Sequence, residues 1–551
     1  MKTLVSLLIL TILVLSCNSQ TYSHLQQSSP KTGRIVNYQK TATCPPAQIY
    51  SPRSPNEVAE IVTKAAQKGH RVMTGTKSYK SQSDAACADR GQVQILTTNL
   101  QELKIHKNKL TVTAQSGARL SAINEALANE GLAINMISEG GFFTVGGLLG
   151  SGTHGSSLRQ GASLEDYITA VTIVDGKGRL RKIRDQATLR SLRVNLGVLG
   201  VLVDASFKVE PLKKVKAQIV KDSDQDLAMD LSKLAQENYS VSAAWFPGLG
   251  QYTATIYNFV ANDTPGNAYN AQAHVNDFTF KLFRRSFQLA HGEPSGILTC
   301  QLAKIRKRLR SRSYFKENGK AVKDPVGWSH KMQYFTCTPG GSCPWEILPI
   351  YMGGVSIPIS DLDQWVAEAK KIHRSYHSYF NPVCFPLNGI YFRFGKASDA
   401  HLALSSGEDS VFIDLEYAVN MRNSKTKDGI RDIVKPPQHI HIYQELIEMS
   451  RRKFNARPHW GKNSPITFKG VGPKEYPQWS QFIATKEALD PENTFSNDFW
   501  ERLLSEKETP PATREGCAIQ GLCECQEDSD CLAPLRCQSA LGVSDFNVCR
   551  R

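Results

Sequence analysis

The sequence predicts an α+β protein in three parts: one α+β unit over residues 41–212, a second over 213–508, and a cysteine-rich tail over 515–551. Three observations carry that division. Through 41–212, short apolar runs alternate with stretches whose apolar residues recur every three or four positions. From about residue 213 the character changes to basic helices and alternating strands. Six cysteines then crowd into the last 35 residues, behind a linker from Glu506 to Arg514 that holds two prolines.

In chain order, Ser54, Pro55 and Glu57 form a capping box with proline at the first helical position, and Val58, Ile61, Val62 and Ala65 make the apolar stripe of a first helix ending near Gly69. Strands are predicted over 71–74, 92–97 and 110–114. A second helix follows with Leu120, Ile123 and Leu127 inward and Gly131 as its stop. A strand over 132–137 leads into a glycine-rich stretch; beyond it, 167–174 and 179–183 form a hairpin, and 200–211 supplies a further strand. The second unit is expected to contain a helix over 227–235, strands over 242–247 and 252–259, and basic helices up to Arg310. A strand over 351–359, an amphipathic helix over 361–373, and strands over 389–394 and 411–419 that alternate like members of one sheet complete it.

Composition bounds the rest. An apolar fraction of 41% supports sizeable cores. Lys2 followed by an apolar run from Leu4 to Leu15 and small residues near Gln20 reads as a secretory signal over 1–19, too short to span a bilayer. Val14 to Cys17 also resembles a bacterial lipoprotein site. Removing Cys17 leaves twelve of the thirteen cysteines, an even number in an oxidising compartment, so disulfides are expected and zinc is not. The expected address is extracellular. The formal charge of +15 favours weak retention on extracellular polyanions, while the basic run Lys304 to Arg310 has the spacing of a solvated helix face and lacks the interleaved aromatics of a nucleic-acid surface. Asn238 and Asn262 open glycosylation sequons, the second weakened by Pro265.

The stretch Gly140 to Ser157 organises the first unit. It holds seven glycines among small hydroxyl residues, so backbone N–H groups can converge on an anion such as a pyrophosphate. Gly150, Gly152 and Gly155 fit a dinucleotide fingerprint, with Asp175 about twenty residues on, yet Gly140 to Thr144 stand where the apolar strand should end, and no periodic helix follows. No Gly-Lys-Ser/Thr follows either, which excludes a P-loop. A second glycine-containing loop, Thr74 to Ser81, also follows a strand.

Four stretches in order carry a resemblance: Gly146 to Ser157, Asn388 to Arg393, Pro458 to Asn463, and Glu515 to Cys525. Together they resemble the plant L-gulonolactone oxidases, aldonolactone oxidoreductases of the vanillyl-alcohol-oxidase type, over nearly the whole chain. The resemblance implies a two-subdomain PCMH-type FAD-binding domain followed by an α+β substrate (cap) domain. It implies that FAD is held by Gly75, Lys80, Ser81, Gly146, Gly147, Gly150, Ser151, Gly152, Thr153, His154, Gly155 and Ser156, with Gly197 and Gly200 near the adenine end. His459-Trp460-Gly461-Lys462 looks like the family's His-Trp-x-Lys signature. An ammonium about 4 Å from a reduced flavin stabilises it by roughly 4 kcal/mol at an intermediate dielectric, the role expected of Lys462; His459 is expected beside it.

Related enzymes carry a strand Glu-x-Arg pair; here Tyr391 stands in the acidic position, before Arg393. Arg393 is expected to stabilise the substrate oxyanion by about 3 kcal/mol, and the acceptor of the hydroxyl proton is left unassigned. Lys80 falls where many members carry a flavin-linking histidine, so FAD is expected to be non-covalent. His439 and His441 lack a third ligand at fixed spacing, and no metal site is expected. The resulting expectation is a secreted FAD oxidase of a sugar lactone, first L-gulono-1,4-lactone, passing electrons to dioxygen. The alternatives are the same chemistry on another sugar or specialised-metabolite alcohol, and a catalytically idle secreted binding protein.

Overall fold

The computed structural model describes residues 33–37, 43–76, 84–134, 136, 140–271, 296–310, 315–332, 350–378, 383–418, 420–421, 433–435, 438–504 and 515–551. The expected signal segment, Lys80, Ser81, Cys337, Cys343 and the linker lie outside these residues.

The first domain begins with β1 (Gln48–Tyr50), α1 (Pro55–Gln67), β2 (Val72–Gly75) and β3 (Val93–Leu96). The three strands are parallel, in the order β1-β3-β2. Ser54 caps α1 by accepting from the Glu57 N–H at 3.2 Å, and Val58, Ile61, Val62 and Ala65 are its buried residues, as the spacing predicts. Each large member of that stripe contributes on the order of 1.5–3 kcal/mol by leaving water.

A five-stranded antiparallel sheet follows, built from β4 (Leu103–His106), β5 (Thr111–Gln115), β6 (Ile168–Val174), β7 (Leu180–Ile183) and β8 (Val201–Lys208), in the order β7-β6-β8-β5-β4. Helix α2 (Leu120–Asn129) buries Leu120, Ile123 and Leu127, and Gly131 follows at φ +70°. Among the described residues of the strand expected over 132–137, Leu132–Ala133 are paired.

The glycine-rich stretch is helical where a loop is expected. Helix α3 (Val145–Ser151) is capped by Thr144 and ends at Gly152, φ +61°. Three glycines inside a helix cost roughly 0.5–1 kcal/mol each relative to alanine. Complete burial of Val145, Leu148 and Leu149 offsets that cost. Helix α4 (Gln186–Leu192), capped by Asp185, was not expected. Asp175 sits in the β6–β7 turn with its carboxylate bound by Arg179 and by the Lys177 and Arg179 backbone N–H groups, so it is a turn residue.

The second domain is an eight-stranded sheet of β9 (Lys214–Ser223), β10 (Ser240–Phe246), β11 (Gln251–Val260), β12 (Val326–Trp328), β13 (Ile350–Pro358), β14 (Ile390–Gly395), β15 (Ser410–Ala418) and β16 (Arg457–Pro458). Its order is β12-β9-β11-β10-β14-β15-β13-β16. Helices α5 (Leu227–Glu237), α7 (Leu362–Ser375) and α8 (Ile440–Phe454) share one apolar core with it, and α6 (Ile297–Arg310) carries the basic run. His439 and His441 lie at the start of helix α8, both buried.

The chain then returns. Helices α9 (Trp479–Leu489) and α10 (Asp498–Leu504) pack Trp479, Phe482 and Trp500 into the first domain's core, and Asn497 bonds the carbonyls of Asp84, Ala85 and Cys87. Five disulfides are formed among the described residues: Cys44–Cys87, Cys300–Cys384, and three in the tail, Cys517–Cys523, Cys525–Cys537 and Cys531–Cys549. The tail's hairpin, β17 (Arg536–Ser539) with β18 (Asn547–Arg550), lies against α8. Among the described residues no helix is long and apolar enough to cross a membrane.

Candidate active site

The two faces of the large sheet have different chemistry. Alternation along β13, β14 and β15 sends Val355, Ile357, Phe392, Phe394, Val411, Ile413 and Leu415 into the helix-covered core. The opposite face carries Tyr391 and Arg393 of β14, Phe412 and Asp414 of β15, and Gly354 of β13. Asp414 pairs across the strands with Tyr391 on one side and Gly354 on the other, while Arg393 pairs with Phe412. That register places Asp414 diagonal to Arg393, within reach of its guanidinium.

Lys462 reaches the same carboxylate from the loop after β16. Its Nζ donates to Asp414 Oδ1 at 2.5 Å, and Arg393 Nη2 donates to Asp414 Oδ2. The side chains of Lys462, Arg393 and Asp414 are 12%, 11% and 7% exposed, so the cluster is largely desolvated but reachable. Backbone contacts fix the loop: His459 N–H donates to Gly354 O at 2.9 Å, and Asn463 donates to Gly354 O at 2.7 Å while accepting from its N–H at 3.0 Å. Gly354 is required there, because a methyl on it would lie 2.8 Å from Asp414 Oδ1 and 2.9 Å from Lys462 Cδ. Trp460 turns the other way, bonding Leu402 O at 3.0 Å and stacking with Phe468 and Tyr476.

Two buried histidines join the sheet face to the glycine-rich stretch. The His154 ring lies 4.0 Å from Phe412 and 5.1 Å from His459, centroid to centroid. His154 Nδ1 donates to Gly155 O at 3.0 Å, whereas His459 Nδ1 accepts from Gly461 N–H at 3.0 Å, so the two rings hold opposite tautomers. Burial first, then the charges of Arg393 and Lys462, hold both imidazoles well below their ordinary pKa. Both are neutral at physiological pH.

The expected cofactor residues divide by what their backbones face. A methyl on Gly150 would meet nothing within 4 Å, and one on Gly147 only the Thr144 hydroxyl at 3.4 Å, so this wall offers bare backbone to open space. Ser151 borders the same side, donating to Gly147 O at 2.9 Å and lying 3.0 Å from where a Gly461 methyl would stand. Gly146 packs under Ser116 O, Gly152 ends α3, and Gly200, φ +136°, bends the chain under Val174 O. Thr153 and Gly155 N–H groups bond Leu148 O and Ala162 O. Ser156 and Ser157 donate to Val241 O and Tyr239 O and so join the two domains. Gly75 ends β2, and Gly197 lies beside it, a methyl there coming within 3.3 Å of the Thr74 hydroxyl.

Asp414 was missed by sequence reasoning. It is the middle of an ordinary strand pattern, and only the β14–β15 register shows that its carboxylate stands beside Arg393.

A glycine wall facing space and a cationic sheet face opposite fit a dinucleotide with a reducible ring. Residues 46–184 match the model of an FAD binding domain, and residues 350–503 match that of D-arabinono-1,4-lactone oxidase. The chain is similar to probable L-gulonolactone oxidase 6 of Arabidopsis thaliana, 26% identical over 562 residues, covering 93% of this chain and 88% of that protein. It is also similar to L-gulonolactone oxidase of Mus musculus, 24% identical over 474 residues, covering 86% and 98%. A solved cholesterol oxidase from B. sterolicum shares the fold, with a TM-score of 0.66, 17% identity and coverage of 87% and 98%. The protein is an FAD-linked oxidoreductase that acts on CH–OH groups with oxygen as acceptor. Within that class the chain is similar, at 25–28% identity over most of its length, to L-gulonolactone oxidases of Arabidopsis thaliana.

Proposed function

We propose that the protein oxidises a secondary alcohol of an aldonolactone, with L-gulono-1,4-lactone the first substrate, to the 2-keto lactone that tautomerises to L-ascorbate. The observation that supports this most is the Arg393–Asp414–Lys462 cluster on a sheet face opposite a glycine wall. FAD, when bound, would supply a two-electron acceptor for the alcohol's carbon-bound hydrogen and a route for those electrons to dioxygen as hydrogen peroxide. Gly147, Gly150 and Ser151 would hold its phosphate-bearing part, with Gly75, Gly197 and Gly200 toward its far end. Lys462 would stabilise negative charge on the reduced ring, and Arg393 the substrate oxygen. His459, neutral and tied to Gly461 N–H, orients the loop that carries Lys462.

FAD is proposed to be non-covalent, because lysine stands at position 80. Yellow colour in an acid-precipitated pellet would refute that. Secretion is supported by the apolar N-terminal run and the disulfides. Tyr391, where related enzymes carry a carboxylate, supports a second reading in which the substrate is another extracellular sugar alcohol.

The deciding experiment is the visible spectrum of the purified protein before and after anaerobic addition of L-gulono-1,4-lactone, followed by air. Flavin bands that bleach and return with peroxide release are expected. Bands unchanged by the lactone but bleached by another sugar alcohol would favour the second reading.

A further inference from the structure

We propose that Asp414 is the positioning residue of this site and that it sets a preference for a neutral lactone over the open-chain acid. The inference deepens the function proposed above and rests on it for the substrate class. Lys462 and Arg393 approach Asp414 from different elements and take different oxygens of the one carboxylate. Two neighbouring cations in a largely desolvated site repel each other, and the bridging carboxylate is what holds them side by side. Gly354 makes the space for this meeting, since any side chain there would collide with both Asp414 and Lys462. The three groups sum to one positive charge instead of two.

That charge has a consequence for substrate choice. An aldonolactone opens spontaneously in water to the aldonate, which keeps the sugar's hydroxyl stereochemistry but carries a carboxylate. To bind at this face, the aldonate would have to compete with Asp414 for the same guanidinium and ammonium donors while being repelled by it. The lactone presents only neutral hydroxyl and carbonyl groups and meets neither obstacle. Asp414 therefore occupies in advance the place an acidic ligand would take, a device of exclusion as much as of attraction.

The test compares wild-type and Asp414→Asn holoenzymes by flavin-fluorescence titration with L-gulonate and by the flavin midpoint potential. The Asn variant is expected to bind gulonate about tenfold or more tightly, because one anion beside two cations has been removed. Its potential should rise, and its kcat on the lactone should fall about tenfold as the two cations lose their common anchor. Gulonate affinity within about twofold of wild type and an unchanged potential would overturn the proposal. If the lactone fails to reduce the wild-type flavin, the substrate assignment falls while the titration and the potential still decide the role of Asp414. If the Asn variant does not retain flavin, Asp414→Glu decides, because it keeps the charge. Gulonate affinity near wild type supports the inference, and a tenfold gain sinks it.

Discussion

The two walls of the site are built on different principles. The α3 wall presents backbone: Gly147 and Gly150 face space, Ser151 turns its hydroxyl back to Gly147 O, and Ser156 and Ser157 spend theirs on carbonyls of the second domain. The sheet wall presents charge, with Arg393, Asp414 and Lys462 locked together on residues from two strands and a loop. A backbone wall recognises by shape and is sensitive to added atoms. A charged wall acts on developing charge and is sensitive to the loss of a single group. Substitutions in the two walls should therefore fail in different ways.

The largest effect is expected at Lys462. Lys462→Met removes the cation and leaves Asp414 paired with Arg393, so the wall becomes neutral. On the order of 10²–10³-fold should be lost from kcat, as for other preorganised charge stabilisers. Flavin should be retained, because the backbone wall is untouched, and the midpoint potential should fall, opposite to the change expected in Asp414→Asn. A variant with wild-type kcat would remove Lys462 from the chemistry.

Gly354→Ala tests the same wall without changing its charge. The new methyl would press within 3 Å of Asp414 and Lys462, and overpacking of this kind costs about 1–3 kcal/mol. Activity should fall more than stability, since the cheapest relief is to push the Lys462 stem away. Thermal melts and kcat measured on one preparation separate the two.

Gly150→Ala breaks the comparison from the other side. The methyl meets nothing in the protein, and alanine favours a helix interior over glycine by roughly 0.5–1 kcal/mol. The apoprotein should melt at a slightly higher temperature while FAD binds at least several-fold more weakly. Gain in one measurement with loss in the other distinguishes a cofactor wall from a helix that merely tolerates glycine; unchanged FAD affinity would place the cofactor elsewhere.

What the sequence made legible follows the same division. The backbone wall was visible as composition, because only a segment meant to keep its backbone bare gathers so many glycines. Its helical form was not, since helix α3 survives by burying Val145, Leu148 and Leu149, a tertiary fact that overrides propensity. Lys462 and Arg393 were visible through motifs. Asp414 was not, because its meaning comes from register: alternation puts it on the site face, but nothing local says that β14 and β13 flank it or that Arg393 lies diagonally opposite. The return of Trp479, Phe482 and Trp500 to the first core was equally invisible, for apolar periodicity marks a buried face without naming what covers it.

The smallest expected effect concerns the tail, which sharpens the contrast by showing how the Lys462 loop is held from behind. Ile466 N–H donates to Gly521 O at 3.2 Å, so the disulfide-bonded segment rests on residues just beyond Lys462. Among its other anchors is Glu445 of α8, which accepts from Tyr376 O–H and, at 2.9 Å, from Gly542 N–H. Burial raises the Glu445 pKa above its ordinary 4.5, by more than these hydrogen bonds lower it. The folded protein therefore keeps a proton on Glu445 at pH values where the unfolded chain has released it. This contribution to stability is complete below about pH 4.5 and is lost as pH rises through the folded-state pKa. Glu445→Gln cannot titrate and keeps one of the two acceptor oxygens, so wild type should lose stability relative to the variant, read as denaturant midpoint, as pH rises. A constant difference across that range would mean that Glu445 has the same pKa folded and unfolded, and that its contacts with the tail offset the cost of its burial.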